Sequence, residues 1–294
     1  MKRSTFRALA LMFSALALVG AACANDNTSS SSSGGGGGNT LLAKVMASGK
    51  LRVATDPAYP PQSSYDKASG KWEGFDVDVA TEVAKRLGVK LQFVTPSWDI
   101  ITAGHWNGRW DVSVGSMTPI AERQKVLDFT RPYYYVPAVV VVKNDSSITS
   151  FDQLSGKSIG SCDPCTYSLY IKRTLNIPGF PATFILPTDM KFTGYDTDTT
   201  ALDQLQVGRL DAVLTSLTTA DGAIKAGKPF KLLGDPVFYE PDSIAVDKSA
   251  GGDPSSFASK ISSIVGQMQS DGTLSALSKK WFDGLDLTVK KSVA

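Results

Sequence analysis

The sequence has few residues that could hold a metal ion. It contains one histidine, His105, and three cysteines in 294 residues, whereas a structural zinc site takes about four cysteine or histidine ligands. Cys162 and Cys165 are two residues apart, and Cys23 is far from both. We therefore predict no metal site and no cofactor.

The chain also lacks an excess of charge and a second long apolar run. Its formal net charge is +2, and residues 1–24 hold three basic and no acidic groups, so the remaining residues carry a formal charge of −1. A nearly neutral chain without a basic patch argues against nucleic acid as a partner. The remaining residues are enough for a large core and two lobes.

Residues 1–24 predict a signal peptide for export. They begin with basic residues, and the apolar run at residues 8–22 is too short to span a bilayer. The stretch GAAC at residues 20–23 resembles the lipobox of bacterial lipoproteins, in which the cysteine is lipidated, although glycine replaces the usual leucine. The stretch ACA at residues 22–24 also fits ordinary secretion.

Residues 25–40 are rich in serine and glycine and include the run SSSSSGGGGG. Such a run behaves as a flexible tether with a reach of about 20 Å. A tether is useful only when something before it is fixed. We therefore predict that Cys23 is lipidated and anchors an extracytoplasmic protein to the bacterial cell membrane, with no other membrane contact. The alternative is a soluble secreted or periplasmic protein.

From residue 41 onwards, strand-like and helix-like segments alternate, which predicts an α/β fold with a largely parallel sheet. Apolar residues at positions 75, 79, 83 and 87 have helical spacing, and Gly88 follows the predicted helix end. Residues 136–143, VPAVVVVK, form a continuous apolar run that is typical of a buried strand. Further strands are predicted at residues 51–55, 90–94, 110–116, 158–161, 182–186, 212–215 and 243–246, and further helices at residues 99–107, 119–127, 166–175, 199–207 and 257–281.

The segment GRWDVSVGSMTPIAER at residues 108–123 predicts a site for a carboxylate. A strand ends there in small and hydroxyl residues, a helix is predicted to begin, and Arg123 lies one turn into it. Free backbone N–H groups, hydroxyl donors and a bidentate guanidinium are the groups that bind carboxylates. From this segment alone, a surface ion pair is the favoured role for Arg123.

Three motifs carry a resemblance to a known family: GFDVDVA at residues 74–80, the segment at residues 108–123, and FTRPY at residues 129–133. Through them the chain closely resembles the family-3 solute-binding proteins of bacterial ABC importers. The resemblance covers residues 51–281. It implies a two-lobed fold of the type II periplasmic binding proteins, with two hinge strands and a ligand cleft between the lobes. We expect residues 41–138 in lobe 1, residues 139–241 in lobe 2, and residues 242–294 returning to lobe 1.

The same resemblance assigns roles to individual side chains. Arg123 is expected to bind the ligand carboxylate, helped by Ser116 and Thr118. Tyr59 and Trp98 match positions whose rings commonly line the ligand site. Asp56, at the end of the first strand, is expected to meet a polar or amine group, whereas Asp76 and Asp78 fit a helix start better than a pocket.

The loop GSCDPCT at residues 160–166 aligns with a family loop that completes the carboxylate site. Thr166 is expected to donate to the ligand, and Pro164 replaces the usual glycine. An exported protein keeps disulfides, so we predict a Cys162–Cys165 bond rather than a redox centre or part of a zinc site. The bond would hold the donors near Thr166 before the ligand arrives.

One position departs from the family pattern. The strand at residues 211–214 is usually followed, two residues later, by an aspartate that pairs with the α-ammonium of an amino acid. This chain has Thr215 and then Ser216. Either Asp56 or Asp163 supplies the charge, or the ligand is a carboxylate without an α-amine, because an unpaired buried ammonium is costly.

We therefore predict a monomeric, non-enzymatic receptor that captures an amino acid or a similar small carboxylate and presents it to the permease of an ABC importer. The first alternative is an enzyme that resembles the cyclohexadienyl dehydratases, which share the two-lobed fold. That reaction needs a general acid, for which Asp163, Asp196 and Asp198 are candidates. The second alternative is a solute sensor that works without a permease.

Overall fold

The computed structural model describes residues 40–290. The predicted signal peptide, Cys23 and nearly all of the predicted tether lie outside this range. Within it the strands are β1 (Lys50–Ala54), β2 (Ala58–Tyr59), β3 (Ser63–Asp66), β4 (Lys71–Glu73), β5 (Lys90–Val94), β6 (Val112–Met117), β7 (Leu127–Phe129), β8 (Tyr134–Lys143), β9 (Ser158–Cys162), β10 (Lys191–Tyr195), β11 (Ala212–Ser216) and β12 (Phe230–Asp247). The helices are α1 (Leu41–Ser48), α2 (Phe75–Leu87), α3 (Trp98–Thr102), α4 (Thr166–Ile171), α5 (Asp198–Gln206), α6 (Leu217–Lys225), α7 (Pro254–Ser270) and α8 (Thr273–Trp281).

Most strands of residues 40–290 belong to one sheet, in the order β10-β9-β11-β8-β12-β6-β1-β5, with β7 also pairing with β12. The strands β5, β1 and β6 are parallel, as are β10, β9 and β11. Strands β8 and β12 are antiparallel to their neighbours. The predicted α/β class with parallel strands is confirmed.

Strands β8 and β12 connect the two halves of this sheet. They pair with each other from Phe230↔Lys143 to Asp242↔Tyr134. Beyond that, β12 continues beside β6 and β7. The parallel set β5-β1-β6 and the set β10-β9-β11 are therefore two lobes that share the strands β8 and β12.

Each lobe has apolar cores on both faces of its sheet, as expected when helices cover a parallel sheet. In lobe 1, one core includes Phe75, Val83, Phe257 and Ile261, and the other includes Trp106 and Trp110. In lobe 2, one core includes Ile159, Tyr170 and Phe238, and the other includes Leu202, Leu205 and Val213. No helix within residues 40–290 is long and apolar enough to cross a membrane.

Two predicted elements, one in each lobe, are wrong. Residues 182–186 form no strand, and β10 lies further along at Lys191–Tyr195. The segment is apolar because Leu186 packs in the lobe 2 core, while the Tyr170 hydroxyl donates to Thr183 O (2.7 Å) and accepts from Ile185 N (3.0 Å). The predicted helix at residues 119–127 is a single 3₁₀ turn, Arg123–Lys125.

Three predicted helices are not continuous over their predicted length, and the one at residues 166–175 is α4, which ends at Ile171. The helix at residues 99–107 is α3, which ends at Thr102. The predicted helix at residues 257–281 is divided into α7 and α8 at Gly272, whose φ of 79° is in the left-handed region that glycine adopts without strain.

Candidate functional site

The carboxyl ends of the parallel strands of both lobes point toward each other. In lobe 1, Tyr59 follows β1 and Ser116 lies at the end of β6. In lobe 2, Thr166 follows β9, Asp198 follows β10, and Ser216 ends β11. Ligands of open α/β sheets bind at this edge of the sheet. The fold therefore collects residues that are distant in sequence in one cleft.

The two lobes are in contact across this cleft. Gln62 Nε2 of lobe 1 donates to Thr218 Oγ1 of lobe 2 at 2.5 Å. The backbone N–H of Ala121 donates to the carbonyl of Asn176 at 2.9 Å. These bonds show that the structure has the lobes closed on each other.

Gln62 reaches the cleft because the backbone approaches α2 closely. Gly74 precedes α2 with a φ of 133°, and a Cβ atom at this position would lie 2.3 Å from Gln62 O. The carbonyl of Gln62 accepts from Asp76 N at 2.8 Å. A residue with a side chain at position 74 would push the Gln62 loop and Asp76 apart.

Arg123 is the buried cation of the site. Its side chain is 8% exposed, its Nη1 donates to Thr118 O at 3.0 Å, and its guanidinium carbon lies 5.0 Å from the centre of the Trp98 ring. No carboxylate oxygen of residues 40–290 lies within 4.0 Å of this guanidinium. Burial lowers the pKa of Arg123 to about 10, against the charges of Glu240 and Asp242, so the group is protonated at neutral pH. Most of its N–H donors remain available for an anion.

Two acids of β12 lie next to Arg123. Glu240 and Asp242 are buried and, being two residues apart in a strand, lie on the same face. Thr118 Oγ1 lies 3.1 Å from Glu240 Oε1 and 2.9 Å from Asp242 Oδ1. Thr166 Oγ1 also donates to Glu240 Oε1, and the Tyr167 hydroxyl donates to Glu240 Oε2 at 2.5 Å.

These contacts indicate which of the two acids is ionised. The Thr118 hydroxyl has one proton and can donate it to only one carboxylate. Burial, and then the charge of Glu240, raise the pKa of Asp242 well above its usual range. Burial also raises the pKa of Glu240, but three hydroxyl groups act to lower it. The arrangement fits a protonated Asp242 that donates to Thr118, which in turn donates to an ionised Glu240.

Asp76 is a third buried acid. Its Oδ1 accepts from the Tyr133 hydroxyl at 2.6 Å, and its Oδ2 accepts from Ser116 Oγ at 2.7 Å. Ser116 Oγ also lies 2.5 Å from the Tyr134 hydroxyl. Burial raises the pKa of Asp76 to about 7. Asp76 thus supports Ser116, whereas Asp78 bonds Lys280 and Trp281 at the contact of α2 with α8.

Asp198 is the fourth buried acid and begins α5. Its Oδ1 accepts from the backbone N–H of Cys162 at 3.1 Å. The Thr215 hydroxyl lies beside the carboxylate and acts to lower its pKa, but it makes no hydrogen bond of good geometry with any group of residues 40–290. Burial raises the pKa of Asp198 to about 7. Burial and then the charge of Asp198 raise the pKa of Tyr59, which places this lobe 1 ring near the acid.

The disulfide predicted between Cys162 and Cys165 is present, with Cα atoms 5.7 Å apart. It closes the loop between β9 and α4, so that Thr166 begins α4 directly after Cys165. The two sulfur atoms and an Asp198 oxygen lie within 4.8 Å of one another. The sulfur atoms are bonded to each other and offer no thiolate to a metal.

Ser216 is the N-cap residue of α6, and its hydroxyl bonds groups of that helix. Ser216 Oγ accepts from Thr219 N at 3.0 Å, lies 3.1 Å from Thr218 Oγ1, and is 2.8 Å from Thr219 Oγ1. This is the N-cap geometry that serine favours at a helix start.

Two acids that the sequence proposed as ligand contacts, Asp56 and Asp163, lie outside the buried cluster. Asp56 is exposed, and its Oδ1 accepts from Ala58 N at 2.7 Å. Asp163 pairs with Lys172, with N–O distances of 2.8 and 2.9 Å. Burial acts to raise the pKa of Asp163, but hydrogen bonds from Lys172 and Ser168 hold it below its usual value. The structure therefore does not bring these two acids to the buried cluster around Arg123.

The other predicted residues, Tyr59, Trp98, Ser116, Thr118, Arg123, Thr166, Thr215 and Ser216, do lie at this edge of the two lobes. Sequence reasoning missed Glu240 and Asp242. A signal was present, because two acids at alternate positions precede the apolar strand residues 244–246. Buried acids on one strand face are unusual unless they are paired.

Comparison with known proteins agrees with this architecture. The chain is 32% identical over 251 residues to the L-cystine-binding protein TcyJ of Escherichia coli (strain K12), covering 84% of this chain and 88% of the relative. It is 32% identical over 288 residues to the L-cystine-binding protein TcyA of Bacillus subtilis (strain 168), covering 94% and 96%.

Among solved structures, the chain is similar to the ancestral amino acid-binding protein AncCDT-1, a precursor of cyclohexadienyl dehydratase. The TM-score is 0.70 at 31% identity, covering 83% of this chain and 100% of that chain. Residues 51–284 match the sequence model of the bacterial extracellular solute-binding proteins, family 3. Because the match spans most of the sequence and the lobes have the expected topology, the chain belongs to the bacterial extracellular solute-binding proteins, family 3.

Proposed function

We propose that the protein captures an amino acid or a similar small carboxylate solute outside the cytoplasm and delivers it to the permease of an ABC importer. One observation carries the proposal. Arg123 is a buried guanidinium in the cleft, it lies on the Trp98 ring, and no carboxylate of residues 40–290 pairs with it. Glu240 and Asp242 act on Arg123 by charge but do not reach ion-pairing distance, so a ligand carboxylate would supply the directly bonded partner that a buried guanidinium needs.

The named ligands of relatives support the class of solute. Two relatives are named L-cystine-binding proteins, and the similar ancestral protein is named amino acid-binding. An amino acid has a carboxylate for Arg123. It also has an ammonium group, which suits a cleft that contains several buried acids.

The ligand contacts that we propose come from both lobes. Trp98, Ser116 and Thr118 belong to lobe 1, and Thr166 belongs to lobe 2. A ligand that touches both lobes stabilises the closed form, which is the form we expect the permease to bind. The ion pair of Lys225 of α6 with Asp283, which lies shortly after α8, adds a contact between the lobes, and Asp221 of α6 also pairs with Lys225.

We also propose that lipidated Cys23 and the serine- and glycine-rich residues 25–40 hold the protein at the outer face of the membrane. The family is described as extracellular, which supports an extracytoplasmic location. Labelling with a radioactive fatty acid tests the anchor: the wild-type chain incorporates label and Cys23→Ser does not. Unlabelled wild-type chain would contradict the anchor but leave the binding function standing.

The binding function is tested by calorimetric titration of the purified protein with the twenty protein amino acids and L-cystine. We expect at least one to bind, and Arg123→Gln to weaken that binding by about 30-fold or more, because one partner of a buried charge pair is removed. Arg109→Gln is the matched control, since Arg109 is exposed and stacks on Trp110 (4.8 Å) away from the cleft. Equal affinity of both variants would contradict the role of Arg123.

An enzyme related to cyclohexadienyl dehydratase is the second candidate. The observation that favours it is Asp242, a buried acid that lies 2.9 Å from Thr118 Oγ1 and whose pKa is raised by burial and by the charge of Glu240, because dehydration needs a general acid. Incubation with prephenate or arogenate tests it. Turnover that Asp242→Asn removes would support the enzyme, and the absence of turnover together with amino-acid binding would reject it.

A further inference from the structure

The cleft contains four buried carboxyl groups, those of Asp76, Asp198, Glu240 and Asp242. No lysine or arginine nitrogen of the described residues 40–290 lies within 4.0 Å of any of them. At position 216 the family usually has the aspartate that binds the α-ammonium group. This chain has a serine there, and its hydroxyl caps α6. The question is which acid takes over that role.

We propose that Asp198 receives the α-ammonium group of the ligand, in place of the residue at position 216. This inference rests on the proposed binding of an amino acid. It makes Asp198 a residue that selects ligands with an amine over ligands with a carboxylate alone.

The other three acids are already provided with partners. Both oxygens of Asp76 accept hydroxyl hydrogen bonds, from Tyr133 and Ser116. Glu240 accepts from Thr118, Thr166 and Tyr167, and Asp242 shares the Thr118 hydroxyl. An ammonium at Asp76 or Glu240 would have to share oxygens that already accept hydrogen bonds, and one at Asp242 would lie near the Arg123 guanidinium, whose charge acts on that carboxyl.

Asp198 has capacity left. Its Oδ1 accepts from Cys162 N, and the Thr215 hydroxyl acts on the carboxyl as a second donor without reaching hydrogen-bond geometry, so the carboxyl has room for a further donor. The adjacent Thr215 hydroxyl is fully buried and has no hydrogen-bond partner among the described residues. A buried carboxylate oxygen and a buried hydroxyl side by side, both short of partners, suit a group that donates several hydrogen bonds.

A third acceptor without a donor lies on the lobe 1 side. Gln62 is fully buried, and its Oε1 accepts no hydrogen bond from residues 40–290. Its Nε2 is fixed by Thr218 Oγ1, which lies 3.1 Å from Ser216 Oγ. The acceptors therefore remain near the position where the family has its aspartate, although the charge has moved to the start of α5.

This arrangement also gives the disulfide a defined task. The Cys162 N–H that bonds Asp198 belongs to the loop closed by the Cys162–Cys165 bond. The loop thus orients the acid that meets the amine, while Thr166 at its other end lies beside Glu240 and the carboxylate side of the site. Asp198 is held in place before the ligand binds, which lowers the cost of ordering the site.

The test compares each bound amino acid with the same carboxylic acid lacking the α-amine. We measure dissociation constants calorimetrically for wild type, Asp198→Asn and Asp163→Asn, using whichever of the twenty amino acids and L-cystine binds wild type most tightly. We expect wild type and Asp163→Asn to prefer the amine-bearing compound by about 30-fold or more. In Asp198→Asn this preference disappears, while the affinity for the deaminated acid stays within about threefold of wild type.

Retention of that affinity by Asp198→Asn shows that the cleft still folds. A loss of both affinities is checked with the variant Asp198→Asn/Ser216→Asp, which returns the charge to position 216, where aspartate can also cap α6. Recovery of the amine preference supports the proposal. A full amine preference in Asp198→Asn overturns it and leaves the proposed function intact, whereas no binding of any amino acid by wild type overturns the proposed function and this inference with it.

Discussion

The buried carboxyl of Asp76 makes a sharp prediction about stability and pH. The side chain is fully buried, accepts hydrogen bonds from Tyr133 and Ser116, and has no cation within 4.0 Å among residues 40–290. Burial raises its pKa from 3.8 to about 7, against the effect of the two hydroxyl donors. Asp242 lies near Asp76, because the charge of Asp76 raises the pKa of Asp242. The substitution Asp76→Asn removes the titrating group and changes little else in size.

The sign follows from the two pKa values. Below pH 3.8 the carboxyl is protonated in both the folded and the unfolded chain, so it contributes its full stability. Between pH 3.8 and about 7 the unfolded chain releases the proton and the folded chain keeps it. The free energy of unfolding therefore falls by about 1.4 kcal/mol per pH unit, or about 4 kcal/mol in total as an upper bound. An asparagine has no such loss.

The assay is urea unfolding of ligand-free protein at pH values from 4 to 8. Relative to wild type, Asp76→Asn should gain stability steadily up to about pH 7, by as much as about 4 kcal/mol. The cost of exchanging the hydrogen bonds is the same at every pH and does not affect the slope. Asp163→Asn is the control with the opposite sign, because its pKa is lowered in the fold. A pH-independent difference between Asp76→Asn and wild type would refute the reasoning.

Two further predictions concern the loop and the rim. Replacing both Cys162 and Cys165 by serine should weaken amino-acid binding by about tenfold or more. It should lower the free energy of unfolding by about 2 kcal/mol at most, because the closed loop is short. Calorimetric titration measures the affinity and thermal unfolding the stability, and an unchanged affinity would contradict the role of the loop. Lys225→Gln, which removes the ion pairs with Asp221 and Asp283, should favour the open form by up to about 1 kcal/mol. Small-angle scattering of the ligand-free protein should show a larger radius than for Lys228→Gln, which affects only contacts within lobe 2, and equal radii would argue against a contribution to closure.

The sequence predicted the parts of the fold that depend on local periodicity. Helix α2 follows from its apolar spacing and from Gly88, which does end the helix in the left-handed conformation. Strand β8 follows from its continuous apolar run. Strand β10, KFTGY, was missed because it is an edge strand with exposed and half-buried residues. A nearby apolar segment at residues 182–186 has the composition of a strand but packs as a cover over the core.

The predicted site shows the same division. Arg123 follows from a local motif in which a strand ends, the chain turns and an arginine follows. Glu240 and Asp242 come from the far end of the chain, and only the pairing of β12 with β8 and β6 brings them to Thr118. Asp198 was named only as a candidate acid, because its bond to Cys162 N depends on the parallel pairing of β9 and β10.

The strand β12 combines two properties. It is one of the two strands shared by the lobes, and it also presents Glu240 and Asp242 to the cleft, in register with Val136 and Tyr134 of β8. Two buried acids of the cleft are therefore part of a strand that connects the lobes. A substitution at position 240 or 242 changes the cleft and also a strand that connects the lobes. In this chain the choice of solute and the time for which it is retained are therefore expected to evolve together.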